Sequence, residues 1–334
     1  MITQPTTFVV GAGASCEYGL PLGADLKKKI LSAVNFKVDI KVTTNDDILL
    51  QALNKERMAN PERLVDAGLV LAQHAFPYDS IDEALHAFSG NESVIQVGKL
   101  AIASQILGGE RRSSLFDKER EGPNRVARIG GWLQRLFSLA VNGLPRTRIP
   151  DAFRTVTIIN FNYDRAIEHY LYGAVRALGL PHEDAAETVN NLTMIRPYGS
   201  LGPLPWQEKG AVEYGQYQEN LIQMASTLRT FTETLHEDIK SRISMRLDQS
   251  AVVIYLGFGF HKQNILIMQS QSPAFNGTRV FATAYAVDEL NHPALRQAIR
   301  QSLRKYDETM IDITPWTCTA LLEKAWPAIN QAVS

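Results

Sequence analysis

Four short stretches hold the residue types that could do chemistry. Gly11-Ala12-Gly13-Ala14-Ser15 follows an apolar, β-branched run, Thr6-Thr7-Phe8-Val9-Val10, and a helical pattern begins just beyond it. Glycines at such a turn let backbone N–H groups approach a phosphate, and a following helix adds the positive end of its dipole. Asn160-Phe161-Asn162-Tyr163-Asp164, Tyr198-Gly199-Ser200-Leu201-Gly202 and Gly257-Phe258-Gly259-Phe260-His261 leave the ends of other apolar runs and carry glycine or polar side chains. The first loop departs from the dinucleotide fingerprint G-x-G-x-x-G, because Cys16 stands at its sixth position. No clear βαβ unit with an acidic residue about 20 positions on follows it, which weakens an ordinary dehydrogenase reading. A tight strand-to-helix turn without a ligand is the plainer alternative.

These loops need strands behind them. Buried strands are expected at 6–11, 155–161, 192–195, 252–256 and 280–285, with a short one at 309–313. Val252-Val253-Ile254-Tyr255-Leu256 is near-continuously apolar, as in a sheet covered on both faces. Helices are expected at 23–33, 165–178 and 292–304. From about 50 to 145 the pattern is helical, with starts at Pro61 and at Ser80-Ile81-Asp82-Glu83, a helix over 93–107 and another over 124–142 that Gly130-Gly131 weakens. Residues 108–123 and 180–191 read as loops, 217–247 as a long amphipathic helix or helix pair, and 34–50 is ambiguous, with Val38, Ile40 and Val42 alternating. Strands alternating with helices predict an open parallel α/β sheet, in which ligands bind at the carboxyl ends of the strands. The four loops would then share one crevice.

Bulk properties set the limits. The 334 residues are 45% hydrophobic and 21% charged with a net charge of −1, which fits a globular protein and gives no basic field for nucleic acid. No apolar run reaches a membrane span, and the first residues pass straight into a strand pattern, so no signal peptide is expected. Two cysteines, Cys16 and Cys318, without a CxxC pair fit a reducing cytoplasm and argue against a four-cysteine zinc module. Both are most simply small buried side chains.

Gly11-Ala12-Gly13-Ala14-Ser15 followed by Gly19-Leu20-Pro21 resembles the GAGxS…G-[IL]-P signature of sirtuins, most nearly the sirtuin-like domains of bacterial antiphage defence proteins. Three further stretches match in order. Asn160–Asp164 resembles the family's (T)xN(Y/F)D segment, Tyr198–Gly202 its HGSLG segment and Gly257–His261 its GFGF segment, while Ser80–Glu83 and Gly98–Ala103 look more loosely like the helical insertion of the defence branch. The resemblance implies a Rossmann-like parallel sheet of sirtuin type: one domain over 1–334, with a large helical insertion at about 50–145 and a second helical segment at about 205–248. It implies NAD+ as substrate, hydrolysed to nicotinamide and ADP-ribose, with no zinc. It also implies a homo-oligomer, and a partner such as a hexameric HerA-type ATPase or a short Argonaute; no membrane or direct nucleic-acid binding is expected. The alternative is a catalytically weak NAD+ or ADP-ribose-binding scaffold or sensor. A nuclease is the weakest reading, for want of a metal cluster.

Cleaving the nicotinamide–ribose bond builds positive charge on ribose C1′, so the ribose must be held and water admitted. Neutral Asn162 at a strand end could orient either, and by resemblance it is the family's active-site asparagine; a turn residue bonding its own backbone is the alternative. Asp164 could bind a ribose hydroxyl or cap the next helix. Asn160 is expected as a buried support. Tyr198 stands where the family has histidine, and at neutral pH a phenol is a poor base. Either hydrolysis needs no strong base, because nicotinamide leaves readily once the ribose is held, or His261 supplies the missing function; a capping or surface histidine is the plainer reading of His261. The catalytic set is therefore Asn162, Tyr198 and His261. The nucleotide-binding set is Gly11, Ala12, Gly13, Ala14, Ser15, Leu20, Pro21, Asn162, Asp164, Gly199, Gly257, Phe258 and Gly259, with no metal ligand. Phe258 and Phe260 also fit core packing, and Asp288 fits an N-cap better than an adenine-ribose contact.

Overall fold

The computed structural model describes residues 1–55, 60–119, 122–234, 237–269, 278–304 and 310–334. Six strands form one sheet: β1 (Thr6–Val10), β2 (Val156–Asn160), β3 (Thr193–Ile195), β4 (Val252–Leu256), β5 (Arg279–Thr283) and β6 (Ile311–Thr314). All pair in parallel, in the order β3-β2-β1-β4-β5-β6. This is the order of doubly wound nucleotide-binding sheets, and the strand order reverses between β1 and β4. Residue 309 of the strand expected at 309–313 lies outside the described residues.

Both faces of the sheet are covered, so its central strands are buried throughout and mostly apolar. Successive side chains alternate between two cores. Phe8, Val10, Ile158, Ile254 and Leu256 pack on one side with Trp132, Phe153 and Tyr170. Val9, Ile159, Val253 and Tyr255 pack on the other with Ile30, Leu100 and Ile106.

Between β1 and β2 the chain is mostly helical, with a small antiparallel hairpin of Lys37–Val38 and Val42–Thr43 where the sequence is ambiguous. The central helix, Glu92–Arg112, is buried along most of its length. It runs five residues past the expected 93–107, so 108–123 is not all loop. Glu110 explains the extension. Its side chain is fully buried against Arg165, and that pairing holds the last turn in place. A second loop expectation also fails: 180–191 contains the helix His182–Asn190. The helix expected at 124–142 is two helices, Pro123–Ala127 and Trp132–Val141. Gly131 between them has φ +115°, and a Cβ there would meet Tyr18 Oη at 2.7 Å. The 217–247 segment is shorter pieces, Leu221–Ser226, Phe231–Thr234 and Glu237–Gln249, with 235 and 236 outside the described residues. Among the described residues no helix is long and apolar enough to cross a membrane.

Candidate nucleotide site at the strand ends

The loops leaving β1, β2 and β4 and the segment after β3 surround one cavity of about 560 Å³, within the range of small-molecule sites. Gly11, Ala12, Gly13, Ser15, Leu20, Pro21, Asn162, Asp164, Tyr198, Gly257, Phe258, Gly259 and His261 all line it. Ala14 and Gly199 do not. Ala14 turns into the core, its carbonyl accepting from Trp132 Nε1 at 2.8 Å. Gly199 has φ +75°, and a Cβ there would lie 2.1 Å from the Thr227 carbonyl, so its glycine serves backbone packing.

The glycines of the first loop have a related reason. A Cβ on Gly11 would lie 2.6 Å from Gly257 O, and one on Gly13 would lie 2.8 Å from Gly257 Cα. Gly257 has φ +57°, and a Cβ there would meet Ala14 N at 2.1 Å. The two loops are pressed backbone to backbone. Gly13 N–H donates to Gly257 O and Ala14 N–H to Gly11 O, each at 3.0 Å. These N–H groups are thus spent on closing the loops, and the glycines buy proximity more than free donors.

Asn162 is fixed by its neighbours. Its Nδ2 donates to Gly11 O and Ser15 Oγ, both at 2.9 Å. A carbonyl cannot donate, so the group against Gly11 O is the NH2, and the remaining side-chain atom is the acceptor Oδ1. Arg196 NH1 donates to Asn162 O at 2.9 Å, and Arg196 is itself clamped by Glu168 at 2.6 Å. Asn160 Oδ1 accepts from Asn162 N at 3.0 Å, the buried support expected of it. Asp164 lines the cavity, and its Oδ1 accepts from Ala166 N at 3.0 Å at the start of helix Ala166–Ala177. Burial pushes its pKa up to about 6, against the opposing pull of a Ser15 hydrogen bond and the Arg196 charge.

Tyr198 is buried, and its Oη donates to Asn264 Oδ1 at 2.8 Å. Burial, then the negative charges of Asp82 and Glu83, hold its phenol well above the ordinary pKa. It therefore stands at the site as a neutral donor. Its ring packs against Phe161 and Tyr163, with centroids 6.0 and 6.1 Å away. Phe161 in turn lies 5.0 Å from Phe258, so these aromatic rings form one wall. His261 is exposed at the N-cap position of helix Lys262–Met268, and its ring folds back over Gly259. Phe260 packs against the core, and Asp288 caps a short turn through Leu290 N at 2.9 Å.

Several lining residues were not singled out as site residues from the sequence. Asp82, in the first turn of helix Ile81–Ala87, accepts from Tyr163 Oη. Asn264 sits one turn past the β4 loop. Glu17 reaches the N-terminus of helix Cys318–Lys324 and accepts from Cys318 N at 2.6 Å. Cys318 is buried as expected, whereas Cys16 is half-buried and lines the cavity. Asp82 had a local signal in its Ser80 cap, which Glu83 N closes at 3.1 Å. Nothing in its sequence neighbourhood says that it meets Tyr163. The carboxylates that line the cavity are Glu17, Asp79, Asp82 and Asp164; no Lys or Arg is among the described lining residues. Among the described residues no group of three or more His, Cys, Asp or Glu is placed to hold a metal ion.

A doubly wound parallel sheet with a cavity at its switch point defines a Rossmann-like α/β protein with a small-molecule site. Residues 156–311, the stretch from β2 to the start of β6, match the family described as the SIR2-like domain. No curated protein matches the sequence. Among solved structures the chain is similar to the crystal structure of a Sir2 homolog–NAD complex. The identity is 12% and the TM-score 0.40, covering 99% of this chain and 92% of that one.

Proposed function

We propose that the protein is an NAD+ hydrolase that cleaves the nicotinamide–ribose bond to give nicotinamide and ADP-ribose. The observation that carries this reading is the convergence of the strand-end loops on one cavity where the Asn162 amide is locked with its Oδ1 left over as an acceptor. Such an acceptor orients a ribose hydroxyl or a water without forming an adduct with the substrate. The rings of Phe161, Tyr163 and Phe258 give that end an apolar wall, beside which Tyr198 Oη donates to Asn264 Oδ1. The biological setting we propose is a cytoplasmic effector of antiphage defence. It would work as an oligomer and be triggered through a partner such as a HerA-type hexameric ATPase.

A second reading is favoured by one specific observation. Tyr198 is held protonated in the family's histidine place, so a catalytically weak NAD+ or ADP-ribose sensor is the alternative. Incubating the purified protein with NAD+, alone and with the product of the adjacent gene, separates the two. Nicotinamide release that vanishes in Asn162→Ala supports the hydrolase. Saturable NAD+ binding without release under both conditions supports the sensor.

A further inference from the structure

A group that takes a proton from the attacking water speeds hydrolysis, and most residues at the site are unable to do it. The Asn162 amide has no basicity, and both of its N–H bonds are committed. Tyr198 keeps its proton and donates a hydrogen bond with it to Asn264 Oδ1. Asp164 is tied to Ala166 N, and the Ser15 hydroxyl also bonds it. His261 stands at the exposed rim. Of the three other lining carboxylates, Glu17 is taken up by Cys318 N and Thr319 and Asp79 is exposed, which leaves Asp82. Asp82 lines the same cavity as Asn162 and Tyr198, yet it comes from the segment between β1 and β2, far from them in sequence.

We propose that Asp82 is the general base of the site and that Tyr163 is the residue that positions it. The role presupposes the hydrolase reading above. Tyr163 directly follows Asn162 in the loop after β2, and its Oη donates to Asp82 Oδ1. A carboxylate offers about four acceptor sites. Asp82 uses them on Tyr163 and its own backbone N–H, with no other donor among the described residues. It therefore keeps acceptor capacity for a water in the cavity. In the step, the C1′–N bond breaks and its electron pair goes to the nicotinamide ring nitrogen. The water oxygen bonds C1′, and the water proton passes to Asp82 and from there to solvent.

The surroundings suit that task. Burial raises the Asp82 pKa, and the Tyr163 hydrogen bond and the His261 charge pull it back down. Glu83 on the same helix pushes it up. Tyr198 from the segment after β3 is neutral. Of the cations on the packed helices, Lys27 is engaged by the carbonyls of Phe76 and Tyr78, and Lys99 by Glu233 at 2.8 Å. A base whose pKa lies nearer the working pH than a free carboxylate is the more effective one.

The test compares wild type, Asp82→Asn, Asp82→Glu and Tyr163→Phe, each with the partner present. Nicotinamide release is followed from pH 5 to 9 and NAD+ affinity by calorimetry. Asp82→Asn is expected to lose at least about a hundredfold in kcat, with the NAD+ Kd within about threefold and the acid limb of the pH profile gone. Asp82→Glu is expected to recover part of the rate. Tyr163→Phe removes a hydrogen bond to the ionised form, so its acid limb moves to higher pH while the plateau persists. Wild-type turnover with Asp82→Asn at a similar rate overturns the role of Asp82 alone. So does a Tyr163→Phe profile superimposable on wild type, whatever the folding of the Asp82 variants. Absence of wild-type turnover overturns the hydrolase reading and this role with it.

Discussion

Glu110→Ala tests how the helical segment between β1 and β2 is tied to the site. Glu110 is fully buried and accepts four hydrogen bonds. Oε1 takes Arg165 N at 2.9 Å and Arg165 Nε at 3.1 Å, while Oε2 takes Arg165 NH2 at 2.7 Å and Gly215 N at 3.0 Å. Arg165 also donates to Val212 O at 2.7 Å, so one ion pair joins the central helix, the turn after Asn162 and the 203–215 loop. Removing the carboxylate strands a buried guanidinium, which costs about 3–5 kcal/mol. Unfolding entropy scales as about 2.1 cal/mol/K per residue, or about 0.7 kcal/mol/K for this chain, so Tm falls by about 6 °C. Differential scanning calorimetry reads it directly. The double variant Glu110→Met/Arg165→Met removes both charges and is expected to regain most of the loss, because two apolar side chains leave no uncompensated ion. A Tm for Glu110→Ala within 1 °C of wild type, or a double variant less stable than the single one, would refute this reasoning.

Three further predictions follow from the site. Asp164 binds its proton more tightly in the fold, with a pKa of about 6 against an ordinary carboxylate value near 3.8, so its penalty is absent below pH 4 and grows as pH rises toward 6. That difference is worth about 3 kcal/mol. In urea melts, Asp164→Asn is therefore expected to gain stability relative to wild type between pH 4.5 and 7.5, and a difference that does not change with pH counts against it. Gly257→Ala places a Cβ 2.1 Å from Ala14 N at a positive φ, so it is expected to abolish NAD+ binding in calorimetry; Gly90→Ala, with open space around it, is expected to be neutral. NADP+ brings additional negative charge into a cavity whose described lining has four carboxylates and no Lys or Arg. Its Kd is expected to exceed that of NAD+ by about tenfold or more, and equal affinities would show a cation there.

The sheet was legible because burial on both faces leaves a plain signature: short β-branched runs such as Val252–Leu256, each ending in glycine or a polar turn. The strand-end loops followed from the same rule, and with them Asn162 and its buried support Asn160. What escaped depends on contacts distant in sequence. Glu110 reads as a surface charge until Arg165 is found opposite it. Asp82 reads as a first-turn carboxylate that favours the helix dipole, until Tyr163 is found donating to it. The glycines of the first loop look like a phosphate cradle, while their closest neighbour is Gly257. Helix His182–Asn190 was missed because its polar composition gives a weak apolar stripe, with only Ala185, Thr188 and Val189 buried.

The most direct test of the account is nicotinamide release from NAD+ by the purified protein, alone and with the product of the adjacent gene, wild type against Asn162→Ala, with both shown to fold by calorimetry. The account predicts wild-type release of nicotinamide and ADP-ribose in equal amounts, and a loss of at least about a hundredfold in the variant. Equal release by the two proteins, or NAD+ bound by wild type and returned intact, would contradict it.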